Sequence, residues 1–141
     1  MYLCGSAVFK QCTCIGQRYH ALTDITAYFE DFACRAAENG VSRWILDPGF
    51  GFAKTLEQNY RLMAGLDALK RCYGGFVPRI LVGVSRKSMI YKTLGISPDD
   101  ALPATQALHM AALMAGADIL RVHDVKEAAQ AASMYKMLAF M

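Results

Sequence analysis

The sequence predicts an α/β fold, an incomplete parallel barrel, and three observations carry that prediction. Capped amphipathic helices alternate with short apolar strands and glycine-bearing loops. The strands are continuous apolar runs rather than alternations, as strands covered on both faces are. Their centres recur at near-equal intervals, with Leu81 36 residues after Ile45 and Leu120 39 residues after Leu81. Those intervals suit a strand, a loop, a helix and the return to a neighbouring parallel strand.

Residues 1–22 stand apart as an N-terminal segment with no clear period and no caps, so neither a helix nor a strand is predicted there. The barrel-like region runs from residue 23 to residue 141. Its first helix starts near Asp24 and sets Ile25, Phe29, Phe32 and Ala36 on one stripe, with Gly40 at the left-handed C-cap position. SRWILD (42–47) is the next strand and leads into the loop PGFGFAK. Thr55 and Gln58 form a capping box for a helix striped by Leu56, Tyr60, Met63, Leu66 and Leu69, which closes before Gly74 and Gly75. RILVGV (79–84) is a second strand and DILRVH (118–123) a third. Between them Ser97, Pro98 and Asp100 start a short helical piece, which Pro103 separates from a helix ending near Gly116. Asp124 and Glu127 form a second capping box for the last helix.

Composition narrows the functional classes. The net charge of +3, scattered along the chain, marks no nucleic-acid surface, and any bound anion must be met locally. No apolar run approaches the roughly 20 residues that span a bilayer, and the start lacks the order of a secretory signal, so a cytoplasmic location is expected. The five cysteines lack paired C-x-x-C spacing; Cys12 and Cys14 could give two ligands, but a closed zinc site takes about four, so no metal site is predicted.

Three polar clusters fall at three predicted strand ends, where the chemistry of a parallel barrel sits. Asp47 follows a buried apolar run, which puts its carboxylate at the barrel mouth, able to accept two hydrogen bonds from an amino-substituted heterocycle; its alternative role is a loop cap. Gly49 and Gly51 permit backbone angles closed to other residues and close approach of a ligand, while Phe50 and Phe52 supply apolar walls. The second strand ends through Gly83 into Ser85-Arg86-Lys87-Ser88, where a helix start would favour an anion. Lys87 can donate to a carbonyl or ring nitrogen and ranks above Arg86, whose stem can simply pack along the surface. In Arg121-Val122-His123, strand alternation sends Arg121 and His123 to one face, and Arg with His suits a diphosphate. The alternative for His123 is a helix cap. His109, mid-helix, and His20 are not assigned to the site.

Taken in order, ILDPGFGFAKTLEQNY, LVGVSRKSMIYKTLG and ILRVHDVKEA closely resemble the C-terminal half of the dihydropteroate synthase family. The resemblance runs from about Thr23 to the end and implies the last three to four βα units of a (β/α)8 TIM barrel. It implies a transferase of folate biosynthesis, a sulfonamide target, that condenses a dihydropterin methyl diphosphate with 4-aminobenzoate and releases diphosphate. Carried over by motif, Asp47 and Lys87 would bind the pterin, Phe52 and Ser85 would shape the aminobenzoate site, and Arg121 with His123 would hold diphosphate. Lys87, Arg121 and His123 become the expected catalytic residues, with Asp47, Gly51, Phe52, Gly83, Ser85 and Arg86 as further substrate-binding positions. The full-length family also implies Mg2+, but its Asn-bearing loop, its glycine-rich second loop and its Asp-bearing third strand end have no counterpart here. Four units cannot close eight strands, so self-association or pairing with a complementary chain is expected, with little synthase activity for the chain alone.

Overall fold

The computed structural model describes residues 8–11, 22–73 and 75–139. Among them four strands form one sheet, all parallel and in sequence order: β1 Val8–Gln11, β2 Trp44–Asp47, β3 Arg79–Val82 and β4 Ile119–Leu120. The helices are α1 Leu22–Glu38, α2 Leu56–Ala64, α3 Ser88–Leu94, α4 Leu102–Met114 and α5 Val125–Ala139. Neighbouring parallel strands joined through helices are what the spacing predicted. None of these helices is long and apolar enough to cross a membrane.

The hydrophobic layer lies between the sheet and its helices. Phe29, Phe32 and Ala36 of α1 are buried, and the Phe32 and Trp44 rings meet edge to face at 5.2 Å. Such pairs add about 0.5–1.5 kcal/mol beyond the area they bury. Leu46, Ile80 and Val82 are completely buried. Gly40 has φ +69, so α1 stops at the predicted C-cap. The Thr55–Gln58 capping box forms with both of its reciprocal bonds. Tyr60 then ties α2 to α3 by donating to the Met89 carbonyl at 2.8 Å.

Several local expectations are corrected. Residues 1–22 were read as carrying no strand, yet Val8–Gln11 pair with Trp44–Asp47; the pairing partner 36 residues away defines this strand, which is too short to show a pattern of its own. Cys4, Cys12, Cys14 and His20 lie outside the described residues. The α2 stripe omits Leu56, which is 43% exposed, and includes Leu62, which is buried. That helix also ends early, at Gly65, and a 3-10 turn, Leu66–Leu69, carries the last two apolar side chains into the core. The short piece is a 3-10 turn, Asp99–Ala101, distinct from α4 as expected, but the boundary falls just before Pro103, which lies in the first turn of α4, where its missing N–H leaves no bond unmade.

Candidate functional site

The three polar clusters meet at the C-terminal ends of β2, β3 and β4. Phe52, Gly83, Ser85, Lys87, Arg121 and His123, together with Val122, line one cavity of about 260 Å3. Six of the nine residues singled out from sequence are therefore brought together. Of the other three, Asp47 and Gly51 stand beside residues that line it, and Arg86 is turned toward Asp124.

Asp47 is fully buried at the end of β2. One carboxylate oxygen accepts from the Gly49 N–H at 2.9 Å, and the other, Oδ2, has no hydrogen-bond partner among the described residues. The Arg121 guanidinium lies 3.7 Å from that Oδ2, beyond hydrogen-bond reach. Burial raises the Asp47 pKa above the usual carboxylate value, and the Gly49 N–H and the charges of Arg121, Lys54 and Lys87 oppose the rise only in part. A buried oxygen in this state retains an unused capacity to accept a hydrogen bond.

The loop after β2 is held from within. Gly49 and Gly51 take φ +72 and +76, and Ala53 also has positive φ, +49. The Asn59 side chain, buried on α2, accepts from the Gly51 N–H at 2.7 Å and donates to the Thr55 carbonyl at 2.8 Å. Lys54 donates back to the Gly49 carbonyl at 2.9 Å. Sequence reading missed both residues; the available signal for Asn59 was a polar side chain one position before Tyr60, inside an apolar helix stripe. Gly51 is needed for space as well as for φ, since a Cβ there would lie 2.9 Å from Lys87 Cδ.

Lys87 caps the N-terminus of α3 with extended backbone, and its ammonium sits 4.2 Å from the centre of the Phe52 ring. Burial lowers its pKa, the Arg121 charge lowers it further and Asp47 raises it in part. With seven residues, α3 offers only a short dipole, so the cationic side chains dominate the attraction for an anion. The Nε–Nη2 edge of Arg121 faces Gly83, where an added Cβ would come within 2.8 Å of its guanidinium. The His123 N–H donates to the buried Ser85 hydroxyl at 3.3 Å, which links the second and third loops.

Arg121 and His123 reach one cavity, but not by strand alternation. β4 ends at Leu120, although the Arg121 N–H still bonds the Val82 carbonyl, and Val122 lines the cavity beside its neighbours. The second expected capping box is replaced as well. The Asp124 carboxylate is gripped by Arg86 through Nε at 2.9 Å and Nη2 at 2.7 Å. His109 is fully buried on α4, bonded to Gln106 through Nδ1 at 3.1 Å, and burial lowers its pKa. Among the described residues no group of three or more His, Cys, Asp or Glu side chains could hold a metal ion.

This parallel barrel segment gathers two cationic side chains, an imidazole and a buried carboxylate at one set of strand ends, where a parallel barrel carries its binding groups. Residues 1–123 match the sequence profile of the pterin binding enzymes, and the chain belongs to that family. It is similar to the dihydropteroate synthase of Escherichia coli K12, with 41% identity over 110 residues, covering 77% of this chain and 38% of the relative. The dihydropteroate synthase of Yersinia pestis, solved with a pterine–sulfa conjugate, superposes with a TM-score of 0.82 at 34% identity, over 94% of this chain and 51% of that one. The Thermus thermophilus dihydropteroate synthase solved with 4-aminobenzoate gives a TM-score of 0.75 at 37% identity, over 86% of this chain and 49% of that one. The chain thus spans about half the length of these relatives, or less.

Proposed function

We propose that this chain supplies the pterin- and diphosphate-binding rim of a dihydropteroate synthase, a cytoplasmic transferase of folate biosynthesis and a sulfonamide target. The observation that carries the reading is the unpartnered, buried Asp47 oxygen flanked by Lys87 and Arg121. In this reading Asp47 accepts the amino and ring N–H donors of the dihydropterin, and Lys87 donates to its carbonyl or ring nitrogen. Arg121 and His123 hold the diphosphate and stabilise the charge that grows on it as the C–O bond to the methylene carbon breaks. The amine of 4-aminobenzoate, positioned by Phe52 and Ser85, forms the new C–N bond at that carbon and then loses a proton. Positioning and cationic stabilisation account for the catalysis without a strong base.

Magnesium, implied by the family resemblance, has no group of three or more His, Cys, Asp or Glu side chains to hold it among the described residues, and the reading assigns it no step. The reading also places this chain in a larger assembly. β1 and β4 are edge strands among the described residues, and α5 leaves Met134, Met137 and Leu138 exposed. A second copy, or a chain supplying the remaining strands, would cover those surfaces.

A synthase assay tests the reading, with the chain alone and mixed with the N-terminal half of a homologous synthase. Dihydropteroate formed only by the mixture, and lost on Lys87→Ala, is the expected result. A co-purifying complex that stays inactive would instead favour a non-catalytic pterin- or phosphate-binding role.

A further inference from the structure

Arg86 is the one predicted site residue whose charged end is directed elsewhere. Its φ is +50, a left-handed conformation unfavourable for a non-glycine residue, so its surroundings must hold it there. Its N–H donates to the completely buried Thr105 hydroxyl on α4 at 3.2 Å. Its guanidinium grips both oxygens of Asp124, while Nη1 reaches the exposed Asp99 side chain only weakly, at 3.4 Å.

The placement of this pair matters more than its charge. Arg86 lies between Ser85 and Lys87, and Asp124 directly follows His123. The bidentate bond therefore joins the turn after β3 to the loop after β4, each time one residue from a side chain that lines the cavity. Asp124 also anchors α5, since its carbonyl accepts from the Ala128 N–H. A second strut, from the His123 N–H to the Ser85 hydroxyl, spans the same two segments.

We infer that Arg86 and Asp124 are a positioning pair, which sets the spacing of Ser85 and Lys87 against Arg121 and His123 without touching the ligand. The inference deepens the diphosphate-site reading and rests on it for its functional consequence. The geometry of the clamp stands independently.

Removal of Asp124 separates positioning from direct contact. Taking a carboxylate away from the neighbourhood of an anion site tightens anion binding by Coulomb's law alone. A positioning role predicts the opposite sign.

The test uses the 141-residue chain as wild type, Arg86→Gln, Asp124→Asn and the double variant, with amide hydrogen exchange read by NMR. Each single variant is expected to speed exchange of the His123 N–H roughly tenfold, with the double no faster than either and the buried Leu62 of α2 unchanged. Unchanged His123 exchange in both singles overturns the inference. If Arg86→Gln also speeds Leu62, the fold itself has loosened, and Arg86→Lys takes its place. That variant keeps the charge but not the fork, and an intermediate His123 rate is expected. Calorimetric titration with inorganic diphosphate then reads the consequence: Asp124→Asn weakens binding about as much as Arg86→Gln. Tighter binding by Asp124→Asn together with weaker binding by Arg86→Gln would make Arg86 a direct ligand and overturn the proposal. If the wild-type chain binds no diphosphate, the functional reading fails, while the exchange data still decide whether the clamp exists.

Discussion

The loop after β2 and the helix α5 both border the region where chemistry is expected, yet they are stabilised in opposite ways. The loop is held by its own short-range bonds, from Asn59 to Gly51, from Lys54 to Gly49 and from Gly49 to Asp47. Helix α5 buries only Ala128, and beyond the Arg86–Asp124 clamp at its start it presents methionines to solvent. The contrast separates a segment braced by its own bonds from one that leaves apolar side chains exposed. Pre-organised groups sit on the braced side, and exposed methionines on the open side, where the proposed assembly would bury them.

Substitutions should break this contrast unequally. The largest effect is expected from Asn59→Leu, which leaves the Gly51 N–H and the Thr55 carbonyl without their partner and should cost about 2–3 kcal/mol in chemical unfolding. Gly51→Ala comes next, at roughly 1–2 kcal/mol, because φ +76 and the 2.9 Å approach to Lys87 both resist a Cβ. Urea denaturation that finds either variant as stable as wild type would remove the loop from the braced side.

Asp47→Asn should act in the reverse direction. The folded-state pKa of Asp47 lies above its ordinary value, so its contribution to stability is present at acid pH and is lost as pH rises through that raised pKa. The asparagine variant should therefore melt higher than wild type near pH 7, with the difference closing on acidification, while losing affinity for the pterin. Thermal melts across pH check the sign, and equal melting temperatures at neutral pH would contradict it. The smallest effect on stability, within about 0.5 kcal/mol, is expected from Met134→Lys on α5. Sedimentation should nonetheless show weaker self-association for that variant; an unchanged mass distribution would mean that α5 is not the joining surface.

Much of the rim was legible because each part of it follows a local rule. Asp47, the Ser85–Lys87 turn and Arg121 with His123 all come directly after apolar runs, and strand ends in parallel folds face the ligand. The Thr55–Gln58 cap was equally local. What escaped depends on partners distant in sequence. The pairing of Val8–Gln11 is made by β2, and the destination of Arg86 is a carboxylate 38 residues away. The early end of β4 escaped too, because RVH looks like a strand continuation until the chain turns into the cavity. Asn59 was hidden for a different reason: a single amide within an apolar helix stripe reads as ordinary surface until the loop it anchors is placed against it.

Calorimetric titration of the chain with inorganic diphosphate tests the central claim most directly. The account predicts saturable binding at one site, weakened at least about tenfold by Arg121→Ala, since a charge-assisted bidentate contact would be lost. A well-folded chain that gives no saturable heat, or one whose binding survives Arg121→Ala unchanged, would contradict the assignment of the β4 strand end as the diphosphate site.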